Sequence, residues 1–301
     1  MTATTRRWLI VAALLVPGAL AVVELLAWVN VRHERSKRAY LGDRLFVERR
    51  GAGAPLVLLA GLEGSTRYWP PEFEALDARH RLLFIDAFGF GRSPWPLHEP
   101  TLEDHLTWLR RTLVAEGATQ HVTIVAHSFG AILAAYYAAR YPAEVDRLVL
   151  LGTPMFRGQA DARQRIRSMS SFAGVFSLNP VVAREACLTM GAFRPIIRSV
   201  LPHLGLHGRS EVVEDAVLHN WPSIHGAIQN VLLRSPIEPA LNRVRAPIVF
   251  VHGDQDPVTP LSRVREVSAR LHADLVVVPG DHQTYVGQSR TTVVQVIDRL
   301  K

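Results

Sequence analysis

Short β-branched or leucine-rich runs alternate along this chain with longer stretches whose apolar positions recur every three or four residues. Residues 43–50 read as an early edge strand, and residues 56–60, 81–86, 122–126, 147–151, 248–252 and 275–278 read as core strands. The core runs are continuously apolar rather than alternating, which fits strands covered on both faces of a parallel sheet. Between them, residues 102–116 place Leu102, Leu106, Leu109 and Leu113 on one face of an amphipathic helix. A terminal helix is expected over about 291–300. The pattern predicts an α/β fold, a mostly parallel sheet with helices on both faces. It breaks over about 153–242, a long stretch rich in arginine and apolar residues with helical tendency and no convincing strand, which reads as a helical cap insertion. An insertion at that point lies over the carboxyl ends of the strands, where open α/β sheets bind ligands.

Before the first strand, residues 8–31 are apolar apart from Glu24, Asn30 and the Pro17–Gly18 pair. As a helix they reach about 36 Å, enough to cross about 30 Å of hydrocarbon. Residues 1–38 are therefore expected to be a membrane anchor holding a domain of residues 39–301. Glu24 is costly in lipid unless protonated, near an interface or partnered. Thr5-Arg6-Arg7-Trp8-Leu9-Ile10 is similar to a twin-arginine export signal, and Ala19-Leu20-Ala21 offers a cleavage pattern, although the apolar run continues past it. The flanking charges favour a cytoplasmic domain and the twin-arginine pattern the opposite side, so the side is left open.

Composition narrows the classes. The 301 residues are 48% hydrophobic and 20% charged, with no repeat or low-complexity tract, as in an ordinary globular protein. The net charge of +7 sits largely on Arg6, Arg7, Arg32, Arg35, Lys37 and Arg38 around the apolar segment, so it does not argue for a nucleic-acid partner. The single cysteine, Cys187, excludes an intramolecular disulfide and a multi-cysteine zinc site. Gly89-Phe-Gly91 is followed by Pro94 rather than a third glycine and a helix, His98-Glu99 lacks a second histidine four residues on, and no phosphate-cradling loop is present. No cofactor or metal is required, and the oligomeric state is not indicated.

The chemistry gathers at Ser128. Val122-Thr-Ile-Val-Ala126 runs straight into His127-Ser128-Phe129-Gly130 and an apolar helical stretch. Such a strand, sharp turn and helix expose a serine hydroxyl, and Ala126 and Gly130 are small enough for strand and helix to approach. The Phe129 N–H at the helix start would face a developing oxyanion. A serine at a helix start is otherwise an ordinary N-cap.

Four motifs decide between these readings: Ala126-His-Ser-Phe-Gly130, Asp86-Ala-Phe-Gly-Phe-Gly-Arg-Ser93, His252-Gly-Asp-Gln-Asp-Pro-Val-Thr-Pro260 and Pro279-Gly-Asp-His282. Their order and spread from about residue 43 to the end resemble the α/β-hydrolase family. The resemblance implies a Ser-Asp-His triad. The strand at 248–252 leads to Asp254 and Asp256, of which the family pattern picks Asp256 and leaves Asp254 as a turn former. His282 follows the last strand through Pro279-Gly280-Asp281, so it would serve as general base. His127, His252, His80, His98 and His105 are expected in structural or solvated roles. The turn after residues 56–60 offers the Leu62 N–H as a second oxyanion donor, with Ala60 where the family commonly has histidine, and Glu63 reads as an exposed loop carboxylate. The expected activity is hydrolysis of carboxylic esters, lipid or other hydrophobic acyl esters among them. Other serine-triad chemistries of the family (carbon–carbon bond hydrolase, perhydrolase, peptidase) and a non-catalytic membrane-tethered binding protein are the alternatives.

Overall fold

The computed structural model describes the backbone of residues 3–169, 178–204, 209–283 and 290–299, and within these the side chains other than those of 3–16, 168–169, 290–292 and 298–299. Seven strands form one sheet: β1 (Val47–Arg50), β2 (Ala54–Leu59), β3 (His80–Ile85), β4 (Val122–His127), β5 (Val145–Leu151), β6 (Ile248–Gly253) and β7 (Asp274–Val278), in the order β1-β3-β2-β4-β5-β6-β7. Only β1 pairs antiparallel; every other pairing is parallel. Successive residues point to opposite faces, and both faces are covered. Val57, Leu59, Ile124, Ala126, Leu148, Leu150 and Phe250 enter one core, and Leu56, Leu58, Val125, Val149, Leu151 and Val251 the other. Double coverage is why the strands read as unbroken apolar runs.

Helix α2 (Leu102–Ala115) begins at a reciprocal cap: the Asp104 N–H donates to Thr101 Oγ1 at 3.2 Å and the Thr101 N–H to Asp104 Oδ2 at 2.8 Å. Its Leu106, Leu109 and Leu113 are buried, as the spacing predicted. So is His105, whose two ring nitrogens have no hydrogen-bond partner among the described residues. Its ring instead stands edge-on to Phe129 at 5.3 Å. Burial pushes this imidazole down to about 4, and does the same to His127, to about 3, and to His219, to about 4. All three therefore fold as neutral rings. As pH falls from about 6.5 toward 4 the unfolded chain takes up protons that the folded chain refuses, so stability falls, by up to about 1.4 kcal/mol per pH unit for each such group. Tm measured by circular dichroism is expected to drop across that window, and less steeply in His105→Leu. Identical slopes in the two proteins would contradict this account.

Helix α3 (Phe129–Arg140) follows β4 directly and is buried almost all round. Between β5 and β6 the described residues hold helices α4 (Gln159–Met169), α5 (Pro180–Ala192), α6 (Arg194–Val200), α7 (Ser210–Asp215), α8 (Trp221–Gly226), which runs on into a π-helical turn (Ala227–Leu232), and α9 (Glu238–Leu241). This insertion is tied to the loop after β3 by a Phe90–His219 bridge and by the Gly91 N–H donating to Leu218 O at 2.8 Å. It is tied to the loop after β2 by Asp215, which accepts from Ser65 Oγ (2.7 Å), Arg67 Nε (2.8 Å) and Arg198 Nη2 (3.1 Å). Burial alone would raise the Asp215 carboxyl; these bonds and the two guanidinium charges outweigh it and hold it below the usual carboxylate range. α10 (Leu261–Leu271) and α11 (Arg290–Arg299) complete the layers.

The amino-terminal helix α1 (Ala3–Arg38) departs from expectation. Among the described residues no helix is long and apolar enough to cross a membrane, so the transmembrane anchor is not supported. The first half of the expected span, up to residue 16, lies outside the described side chains. The second half packs along α5. Its two polar groups are held by arginines of the insertion: Glu24 pairs with Arg184 at 2.9 Å, and Asn30 accepts from Arg194. Ala27 is buried there. Further along, Arg38 lies under the loop after β3, pairing with Glu34 at 2.6 Å and donating to Gly91 O at 2.7 Å. The Trp95 ring is clasped between the guanidinium groups of Arg38, at 4.3 Å, and Arg194, at 4.6 Å.

Candidate active site

Ser128 occupies the turn between β4 and α3 with φ 50° and ψ −114°, a conformation a non-glycine residue adopts only at a cost. It stands at the N-cap position, yet its side chain makes no capping bond. Its backbone is fixed instead: the Ser128 N–H donates to Leu151 O at 3.0 Å, and Ser128 O accepts from the Ala131 N–H at 2.9 Å. The hydroxyl is thereby aimed out of the turn and meets His282 Nε2 at 2.9 Å.

The other two expected residues join it. His282 Nδ1 lies 2.8 Å from Asp256 Oδ2. The second carboxylate oxygen of Asp256 accepts from the Val258 N–H at 2.7 Å and the Thr259 N–H at 3.2 Å. Burial would raise this carboxyl, but the hydrogen bond from His282, its charge and these backbone donors prevail and hold it low, so it stays ionised. Asp254, the rejected neighbour, is exposed and accepts from the Gly280 N–H at 2.9 Å, joining the loops after β6 and β7.

The proposed oxyanion donors come from the start of α3 and from the turn after β2. Phe129 is the first residue of α3, where backbone N–H groups have no intrahelical acceptor. Gly61 to Gly64 form a turn closed by the Gly64 N–H donating to Gly61 O at 3.0 Å, which leaves the Leu62 N–H outside that bond. The turn abuts the elbow: a Cβ on Gly61 would stand 3.5 Å from the Ser128 Cβ. At Ala60, the departure from the family pattern, the turn folds over the methyl group, so closely that a Cβ on Gly64 would lie 2.6 Å from the Ala60 Cβ. Among the described residues no cluster of three His, Cys, Asp or Glu could hold a metal ion.

Comparison with known proteins follows this geometry. Residues 54–186 match the family model described as alpha/beta hydrolase fold, and residues 229–300 one described as TAP-like protein. The chain is 25% identical over 277 residues to the probable lysophospholipase BODYGUARD 2 of Arabidopsis thaliana, covering 81% of this chain and 59% of that protein. It spans 59%, 49% and 55% of the lengths of BODYGUARD 2, 3 and 1 of that plant. Among solved structures, an esterase from Rhodococcus sp. ECU1013 superposes with TM-score 0.61 at 25% identity, covering 84% of this chain and 92% of that one. A thermophilic esterase from Thermogutta terrifontis superposes with TM-score 0.63 at 22% identity, covering 84% and 91%. The chain has the α/β-hydrolase fold.

Within this α/β-hydrolase fold, His127 does more than sequence reasoning assigned it. Its Nε2 lies 2.9 Å from the backbone carbonyl of His282, an acceptor only, so Nε2 carries the proton. Nδ1 is then the acceptor for the Tyr68 hydroxyl at 2.6 Å. Desolvation first, and the nearby His282 next, push His127 down to about 3. The ring therefore stays neutral 4.8 Å from the His282 ring and does not oppose a charge forming there. His252 plays a similar part for the acid, its Nε2 donating to Thr259 O at 2.8 Å across the loop that carries Asp256. Both histidines end parallel core strands, and that position was the available signal.

His127→Phe fills the space without the strut and is expected to lower kcat ten- to hundredfold with little change in KM, since a displacement of about 1 Å at a reacting group costs that order. His127→Gln, which can donate to the same carbonyl, should recover part of the loss. Steady-state kinetics of the two variants on one ester checks this, and an unchanged kcat in His127→Phe would refute the strut.

Proposed function

We propose that this α/β hydrolase cleaves carboxylic esters through an acyl-enzyme on Ser128. The observation that carries the reading is the unbroken line of hydrogen bonds from Asp256 through His282 to Ser128, at 2.8 and 2.9 Å. In the first step Ser128 Oγ attacks the ester carbonyl carbon while His282 Nε2 takes the hydroxyl proton. The ionised Asp256 holds Nδ1–H and offsets the charge on the imidazolium. The carbonyl oxygen, now an oxyanion, is held by the Leu62 and Phe129 N–H groups, the second aided by the start of α3. His282 then protonates the departing alkoxide, and water activated by the same imidazole releases the acid.

Hydrophobic acyl esters are the favoured substrates. A probable lysophospholipase and esterases stand among the similar proteins, and the helical insertion acts as a cap that shapes substrate choice. The full chain should react within minutes with a fluorophosphonate probe, with the adduct mapped by mass spectrometry to Ser128. It should also hydrolyse p-nitrophenyl esters, with kcat/KM rising along the acyl chain, and then monoacylglycerols. Labelling elsewhere, or no turnover of any ester despite labelling at Ser128, would reject ester hydrolysis in favour of another serine-triad chemistry.

A further inference from the structure

Glu63 is the third residue of the turn that carries the Leu62 N–H, and it has φ 62°. That position of such a turn favours glycine or asparagine, because a side chain in the left-handed region costs on the order of 1 kcal/mol. A glutamate kept there, immediately beyond a proposed oxyanion donor, spends that strain on the placement of its carboxylate.

The side chain leaves the turn toward the insertion. Its Oε1 lies 3.6 Å from His219 Nε2, and the carboxylate is close enough to Cys187 to help raise that thiol, whose pKa burial chiefly drives up to about 12. Neither neighbour neutralises it. His219 is 3% exposed, and desolvation together with the nearby Arg194 keeps its ring uncharged at neutral pH. Arg194 itself is turned away, donating to Val217 O at 2.9 Å, His219 O at 2.8 Å and Asn30. Among the described residues no Lys or Arg pairs with Glu63. Its side chain nonetheless keeps 40% of its accessible surface. A carboxylate on the turn that abuts Ser128, open on one side and lacking a counter-charge, is a half-made ion pair.

We infer that Glu63 selects substrates by charge: it favours esters bearing a cationic group close to the scissile bond and disfavours esters bearing an anionic one. This rests on the ester-hydrolase reading of Ser128. Two unit charges several ångströms apart near a protein surface interact strongly enough to shift relative rates by about tenfold. Crowding around the carboxyl, by removing water, pushes its pKa up to about 7. Selection should therefore strengthen as pH rises through that value and Glu63 ionises.

The test uses the full chain and three butyrate esters of similar size: choline (cationic), 3,3-dimethylbutanol (neutral) and a hydroxy-carboxylate (anionic). The kcat/KM ratio of cationic to neutral ester is expected to fall about tenfold in Glu63→Gln and to be retained in Glu63→Asp. The anionic ester should gain relative to the neutral one in Glu63→Gln. In the wild-type protein alone, the cationic-to-neutral ratio should rise between pH 6 and 8. Changes in His282, Asp256, Cys187 or His219 common to both esters cancel in the ratio. Ratios that do not differ between the wild-type protein and Glu63→Gln, and do not move with pH, overturn the inference while leaving ester hydrolysis intact. If the wild-type protein hydrolyses none of the three and does not react with a fluorophosphonate, the ester-hydrolase reading falls and the role of Glu63 falls with it.

Discussion

Asp256→Asn is expected to lower kcat on any ester by about 10⁴, the order found when the acid of such a triad is replaced isosterically, while leaving the fold intact. The size follows from which oxygen is held by what. One carboxylate oxygen of Asp256 accepts from the Val258 and Thr259 N–H groups, and the other accepts from His282 Nδ1. In asparagine the amide oxygen must take the place facing the two backbone donors, because the amide nitrogen there would oppose two N–H groups. The nitrogen is then turned toward His282 and donates to Nδ1. A neutral imidazole that accepts at Nδ1 carries its proton on Nε2, the atom that faces Ser128 Oγ at 2.9 Å. Such a ring has no lone pair for the serine proton. Thermal melts should show a near-native Tm, and pre-steady-state acylation should show the full loss. A kcat within tenfold of wild type would mean that Asp256 does not set the tautomer.

Gly130→Ala is expected to destabilise the protein by about 3 kcal/mol or more, toward the upper end of what overpacking costs. A Cβ at this position would stand 2.6 Å from both Leu59 O and Ala60 O. These are backbone atoms, with no flexible end to swing aside. Either α3 lifts from β2 or the strand bends away, and both movements displace Ser128 and the turn bearing Leu62. For a domain of this size the shift corresponds to a Tm roughly 6–12 °C lower, with esterase activity lost before the melt is complete. Calorimetry on the purified variant reads this directly; a Tm within 2 °C of wild type would show that the helix has room to move. The glycine is thus a requirement of the elbow's geometry rather than of its chemistry.

Much of this was legible in the residues. The core strands announced themselves because burial on both faces removes the polar alternation. Ser128, Asp256 and His282 could be located because each lies just beyond the carboxyl end of a parallel strand, and parallel strands bring those ends to one edge. The edge strand is shorter than the expected residues 43–50, starting at Val47, because its polar–apolar pattern says little about where pairing begins. Roles that depend on partners distant in sequence were not legible. Nothing near His127 tells of Tyr68 below it or the His282 carbonyl above, and nothing near Glu63 tells of His219, 156 positions away in the numbering. The partners of the amino-terminal helix were illegible for a related reason. Hydropathy registers Glu24 and Asn30 as isolated faults in an apolar run, whereas Arg184 and Arg194 on the insertion complete them.

The clasp of Trp95 between Arg38 and Arg194 joins three separate pieces of chain: the end of α1, the loop after β3 and the insertion. It adds to the Glu24–Arg184 and Asn30–Arg194 contacts that already hold α1 along the insertion. A single indole ring thus holds together three segments that the sequence sets far apart, and a change at any one of them is felt by the other two.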